Sequence, residues 1–171
     1  MKVCRIEKDT VFRKVGEVIT ASKQEHNYSE GRAKAESMLE DVRKQDYPES
    51  YGRGNSLFVF PYDDKKEERA FQWANTFAST PVSYCIVNLL VLEVDNVEWH
   101  DSRNYDDLCF LLGNFKVGMR DKNVNEDDLC NRYWLEKCNI EELSIEGLVN
   151  KARVISIEPY IVTHNGIRKL E

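Results

Sequence analysis

The stretch "NIEELSIEGLV" sets three carboxylates, Glu141, Glu142 and Glu146, around the apolar pair Leu143 and Ile145. A carboxylate that a strand presents to a cleft can stabilise positive charge as it develops on a substrate. Arg5, Arg53, Ser56 and Tyr51 supply the complementary side-chain types. An arginine fork makes charge-assisted, two-pronged contacts to a pyrophosphate. A serine hydroxyl can bridge by hydrogen bonding, and a tyrosine ring can stack on a planar heterocycle. Together these types suit a glycosidic bond that breaks through an oxocarbenium-like state.

Each residue also has a plain reading. Glu142, Ser144 and Glu146 share one face of a strand by its period of two, with Leu143 and Ile145 on the other, and such a face is usually only solvated. Arg5 alternates with Cys4 and Ile6, so it reads equally well as a solvent-facing strand arginine. Arg53 sits between two glycines in a loop, and Ser56 reads as the first residue of its strand. Loops carry function disproportionately, which keeps Arg53 a candidate.

Other groups carry less. Tyr133-Trp134 falls in a late helical pattern and reads as core. His26, His100 and His164 are isolated, and no serine or cysteine nucleophile motif lies beside them. "YGRGN" lacks the Lys-Ser/Thr of a phosphate loop. Five cysteines, Cys4, Cys85, Cys109, Cys130 and Cys138, are an odd number without C-x-x-C spacing. They are expected to be reduced thiols, and no metal is expected. The acidic groups at 63–68 and 126–128 read as helix starts, where negative charge suits the dipole.

The elements that must position the candidates can be read from periodicity. "KVCRIE" alternates as a strand, while residues 8 to 29 show no clear pattern. From Ser29, the spacing of Ala35, Met38, Leu39 and Val42 predicts a helix that Tyr47-Pro48 stops. "SLFVF" predicts a strand. Asp64 with Glu67 three places on reads as a capping box for a helix carrying Ala70, Phe71, Ala74 and Phe77. After Pro81, "VSYCIVNLLVLEV" is apolar on both faces, the mark of a central strand. Ser102 is placed to cap a helix over 103–112, and Asn125 to cap "EDDLCNRYWLEKC". "LSIEG", "ARVISIE" and "YIVTH" predict three short closing strands. The expectation is a single α+β domain with mostly antiparallel strands and three to four helices.

With 171 residues, 42% hydrophobic and 32% charged, the chain is long enough to bury a core. No apolar run reaches membrane-spanning length, and the first residues lack a signal-peptide core, so a cytoplasmic protein without membrane partners is expected. A net charge of −6 argues against a protein held on nucleic acid by phosphate contacts alone.

The order of these segments resembles the ADP-ribosyltransferase superfamily. The likeness rests on "CRI" in a first strand, the loop running into "YGRGNSLFVF", the helix "EERAFQWA", a long apolar strand and the closing "EELSIEGLVNKARVISI". The loop and helix are most similar to small bacterial members, RES-like or DarT-like. The resemblance implies an Arg–Ser–Glu set made of Arg5, Ser56 and Glu142, with Glu142 catalytic. It implies NAD as substrate, held by Arg5, Arg53, Ser56 and Tyr51, and ADP-ribosyl transfer to a macromolecular acceptor, protein or nucleic acid, or NAD hydrolysis by the same site. The sequence departs from the family in "NSL" for Ser-Thr-Ser and in Ile140, two places before Glu142, where members carry Glu or Gln. The competing expectation is a non-catalytic, immunity-like interaction protein on the same fold.

Overall fold

The longest apolar run becomes the most enclosed strand. β4 (Tyr84–Glu93) lies between β1 (Lys2–Lys8) and β7 (Lys151–Thr163), antiparallel to both. Val87, Leu89, Leu90, Val91 and Leu92 are all buried, as a strand covered on both faces requires. The computed structural model describes residues 1–21, 29–77, 84–113, 118–135 and 138–171. His26 and Pro81 lie outside the described residues.

The chain forms an α+β fold in which every strand pairing seen is antiparallel. Backbone contacts group it into two compact units. The first comprises Met1–Thr20, Phe58–Val97 and Lys151–Glu171. Its strands run in the order β2 (Val18–Thr20), β7, β4, β1, β3 (Leu57–Pro61), with β8 (Gly166–Lys169) also on β7. The helix α2 (Lys66–Phe77) lays Ala70 and Ala74 on Cys4, Ile6, Phe60, Val87 and Leu89, while Phe71 and Trp73 pack at the edge. Small residues at the centre of that helical stripe let the helix approach the sheet closely.

The second unit comprises Ala21–Leu57 and Glu98–Asn150. It holds α1 (Glu30–Asp46), α3 (Ser102–Leu112), α4 (Glu126–Leu135) and the strand pair β5 (Glu98–Asp101) and β6 (Ile145–Val149). α1 comes close to the end of α3 at Gly31. A Cβ there would stand 3.2 Å from the Cys109 carbonyl oxygen and from Cα of Gly113. Trp134 on α4 donates its indole N–H to the Leu39 carbonyl of α1 at 3.1 Å, which satisfies a buried donor.

Several local expectations are met and others are corrected. Asn125 does cap α4, accepting from the Asp128 N–H at 2.8 Å. Asn125→Ala is expected to cost about 1 kcal/mol, read as a lower denaturant midpoint at unchanged slope. α3 is capped by Asp101, which accepts from the Arg103 N–H, and not by Ser102, whose hydroxyl donates to the Ser144 carbonyl. Asp63, not Asp64, accepts the Lys65 N–H ahead of α2. "ARVISIE" and "YIVTH" are one 13-residue strand, with Pro159 carried inside it opposite Asn88 and a bulge beside Val91 and Leu92. β2, β5 and β8 were not foreseen. β8 returns through a turn closed by Gly166, whose φ of 139° suits only glycine. All five cysteines are free thiols. Among the described residues, no helix is long and apolar enough to cross a membrane.

Candidate functional site

The interior of the second unit is unusually polar. Arg53, His100, Asn104, Asp107 and Glu146 are all buried there, with Tyr105 and Tyr133 among them. Burying a charge costs several kcal/mol unless partners replace water, so the arrangement is set by who bonds to whom.

Arg53 is the hub. It opens a short 3-10 turn (Arg53–Asn55) and is 6% exposed. Its Nη1 donates to Tyr133 Oη at 2.6 Å and to Glu146 Oε1, while Nε donates to Glu36 Oε2 at 3.1 Å. Its guanidinium carbon lies 4.0 Å from the Tyr105 ring centroid and 5.1 Å from that of Tyr133. Burial opposes the charge, but Glu146, Tyr133 and Glu36 outweigh it and hold the guanidinium firmly protonated. Burial likewise keeps the Tyr133 phenol protonated. Tyr133 therefore donates to Glu146 Oε1, at 2.8 Å.

Glu146 is thus gripped at one oxygen by two donors. Among the described residues, its other oxygen, Oε2, takes no hydrogen bond. Glu146 is the second residue of β6, whereas the glutamate expected of the closing hairpin was Glu142. The face expected to be solvated is instead buried at Glu146, because Arg53 reaches it from 93 residues away.

Each of the other sequence candidates has its own partners. Glu142 is in a turn ahead of β6, its N–H bonded to the Asn139 carbonyl at 3.0 Å, and it pairs with half-exposed Arg103. The strand expected from Leu143 begins two residues later, at Ile145. Ser56 precedes β3 and donates to the Gly52 carbonyl at 2.8 Å, closing the loop that carries Arg53. Tyr51 donates its backbone N–H to Glu98 Oε2 at 2.8 Å. Arg5 belongs to the first unit, where Nε donates to Glu7 and Nη1 to the Phe58 carbonyl, both at 3.0 Å.

Sequence reasoning missed Tyr133 and His100. His100 lies directly opposite Glu146 in the β5–β6 ladder. Its ring stacks on Tyr133 at 4.6 Å with only 10° between the planes, and meets Trp134 edge-on at 5.2 Å. The available signal was a histidine two residues after Glu98 in "EWHD", the alternation of a short strand, but four residues are too few for a pattern to stand out.

A cavity of about 460 Å³ opens in the same unit between the first turn of α1 and the last turns of α3. Arg32, Asp106, Cys109 and Phe110 line it. Its size is within the range of small-molecule sites. No family model and no curated protein matches the chain.

Proposed function

We propose that the protein binds NAD and breaks its nicotinamide–ribose bond, passing ADP-ribose to a macromolecular acceptor, protein or nucleic acid, or to water. The observation that supports this reading is the buried carboxylate of Glu146, held at Oε1 by Arg53 and Tyr133. In such a cleavage nicotinamide leaves with the bonding electron pair and the ribose carbon becomes cationic. A fixed carboxylate at that point stabilises the cation and needs no reorganisation. The acceptor, or water, then forms the new bond and gives up a proton. Glu146 takes the role first expected of Glu142. Arg32, at the cavity, offers a fork for the pyrophosphate. The setting is the cytoplasm.

The direct test is nicotinamide release from NAD, with and without cell extract as a source of acceptors. Release without extract marks a hydrolase, and release that needs extract marks a transferase. Saturating NAD should also raise the melting temperature, since a ligand of the folded state stabilises by about 2.7 kcal/mol at a hundredfold excess over Kd. No release and no shift would overturn the reading.

A non-catalytic interaction protein is the second reading. It is favoured by the first unit, where Val11, Phe12, Val15 and Val18 are exposed and Phe12 is 92% accessible. Apolar side chains grouped at a surface mark contact sites.

A further inference from the structure

β5 carries two side chains that reach the two elements gripping Glu146. Glu98 Oε2 accepts the Tyr51 N–H, two residues before Arg53. His100 Nδ1 lies 2.9 Å from the Tyr133 carbonyl oxygen. A carbonyl only accepts, so Nδ1 carries the hydrogen and Nε2 presents a lone pair. Among the described residues, Nε2 is buried without a hydrogen-bond partner, and it faces Glu98 Oε2 at 3.9 Å. Two acceptors face each other at 3.9 Å, beyond hydrogen-bond reach, and a proton on either would draw them together.

We propose that Glu98 and His100 are positioning residues that share one proton. Taken up on Glu98, it closes a hydrogen bond from the carboxylic acid to Nε2 of His100 and ties the loop of Arg53 to the helix of Tyr133, so that the grip on Glu146 tightens.

The surroundings favour that placement of the proton. Burial raises the Glu98 carboxyl above its usual range, against the Tyr51 N–H and Arg43 from α1, which lower it. Burial pushes the His100 imidazole down, helped by Arg53, against the Tyr133 carbonyl from α4 and Glu146 from β6. Trp134 adds an uncharged edge. Both shifts run toward the carboxylic acid with a neutral imidazole as the one-proton state. Glu98 binds its proton more readily folded than unfolded, so its own contribution grows as pH falls through the raised folded value. The lowered His100 works the other way and removes stability as pH falls through the usual imidazole value. The Glu98 contribution is absent at higher pH.

The consequence for turnover rests on the NAD reading, but the proton-sharing pair is tested without it. The Tyr51 N–H and His100 Nε2 both face Oε2, so in Glu98→Gln an amide oxygen there keeps the Tyr51 bond but cannot donate to Nε2, and the link stays open at every pH. In His100→Asn the amide nitrogen replaces Nδ1, and no Nε2 remains. The stability of wild type and both variants is followed by urea denaturation from neutral to mildly acid pH, alongside the 15N resonance of His100 Nε2. Wild type is expected to gain stability relative to Glu98→Gln as pH falls, since His100 is common to both and only the Glu98 carboxyl takes up the extra proton. His100→Asn removes the imidazole's opposing loss together with the link, so it is compared with its own Glu98→Gln double variant, against which no acid gain is expected. Wild-type Nε2 should change from an open lone pair to a hydrogen-bonded one over the same range, while Glu98→Gln shows the open signal throughout. A stability gap independent of pH, or an Nε2 already protonated at neutral pH, overturns the proposal. If Glu98→Gln fails to fold, the wild-type Nε2 signal decides, and an unchanging resonance counts against the pair. A pH-dependent gap in a protein that leaves NAD intact keeps the pair and sinks the NAD reading. NAD turnover with a flat gap does the reverse.

Discussion

Arg53→Ala is expected to destabilise the protein by about 3–5 kcal/mol, the usual cost of breaking a buried ion pair from one side. The substitution leaves Glu146 buried with only the Tyr133 hydroxyl at Oε1, strips Glu36 of its partner at Nε, and uncovers the face of the Tyr105 ring. Lysine should not rescue it, because an ammonium cannot donate along two edges and lie flat on a ring. The companion test is a double-mutant cycle with Arg53→Met and Glu146→Leu. Removing both charges should cost less than the sum of the single losses, since neither leaves an unpaired partner. Urea midpoints at constant slope give the four values. Additive losses, or an Arg53→Ala cost within the scatter of surface substitutions, would mean that Arg53 does not organise the interior of the second unit.

Where pattern is dense, the sequence announces structure. β4 declares itself by apolar side chains on both faces, α1 by Ala35 and Leu39 at helical spacing, and α4 by Asn125 ahead of three acids. The mistakes cluster where a neighbour in space decides. Asp101 displaces Ser102 as a cap because the Ser102 hydroxyl is drawn to the Ser144 carbonyl, 42 residues on. Pro159 stays inside β7 although the pattern suggested two strands, because β4 pairs with the chain on both sides of it. The site follows the same rule. Glu142 and Glu146 are equivalent by strand alternation. Only the distant Arg53 and Tyr133 distinguish them, by burying one carboxylate and leaving the other in a turn beside Arg103. Arg53 itself was legible as a candidate through its glycine loop, whereas its partners Glu36, Tyr105 and Tyr133 sit at ordinary helical positions that betray nothing about the charge they face.

Glu146→Gln should lower NAD turnover by about 10²–10³-fold, the range seen when one preorganised electrostatic contact to a transition state is lost. Glutamine keeps the shape and still accepts from Arg53 and Tyr133 at its oxygen, but it removes the negative charge that would face the cationic ribose. NAD-induced stabilisation should largely survive, because the ground state carries no such cation at the ribose carbon; a fall in kcat with KM little changed is the signature of lost transition-state binding. The variant will also be less stable, since Arg53 then relies on Glu36 for charge, so turnover is to be compared well below its own unfolding transition. Glu142→Gln is the informative partner. Its carboxylate is half-exposed and paired with half-exposed Arg103, an ion pair worth little at a surface, and its loss should leave turnover near the wild-type rate. If Glu142→Gln removes activity and Glu146→Gln keeps it, the reacting carboxylate lies in the turn and the buried grip on Glu146 is architectural. If neither changes turnover, NAD is cleaved elsewhere on the chain.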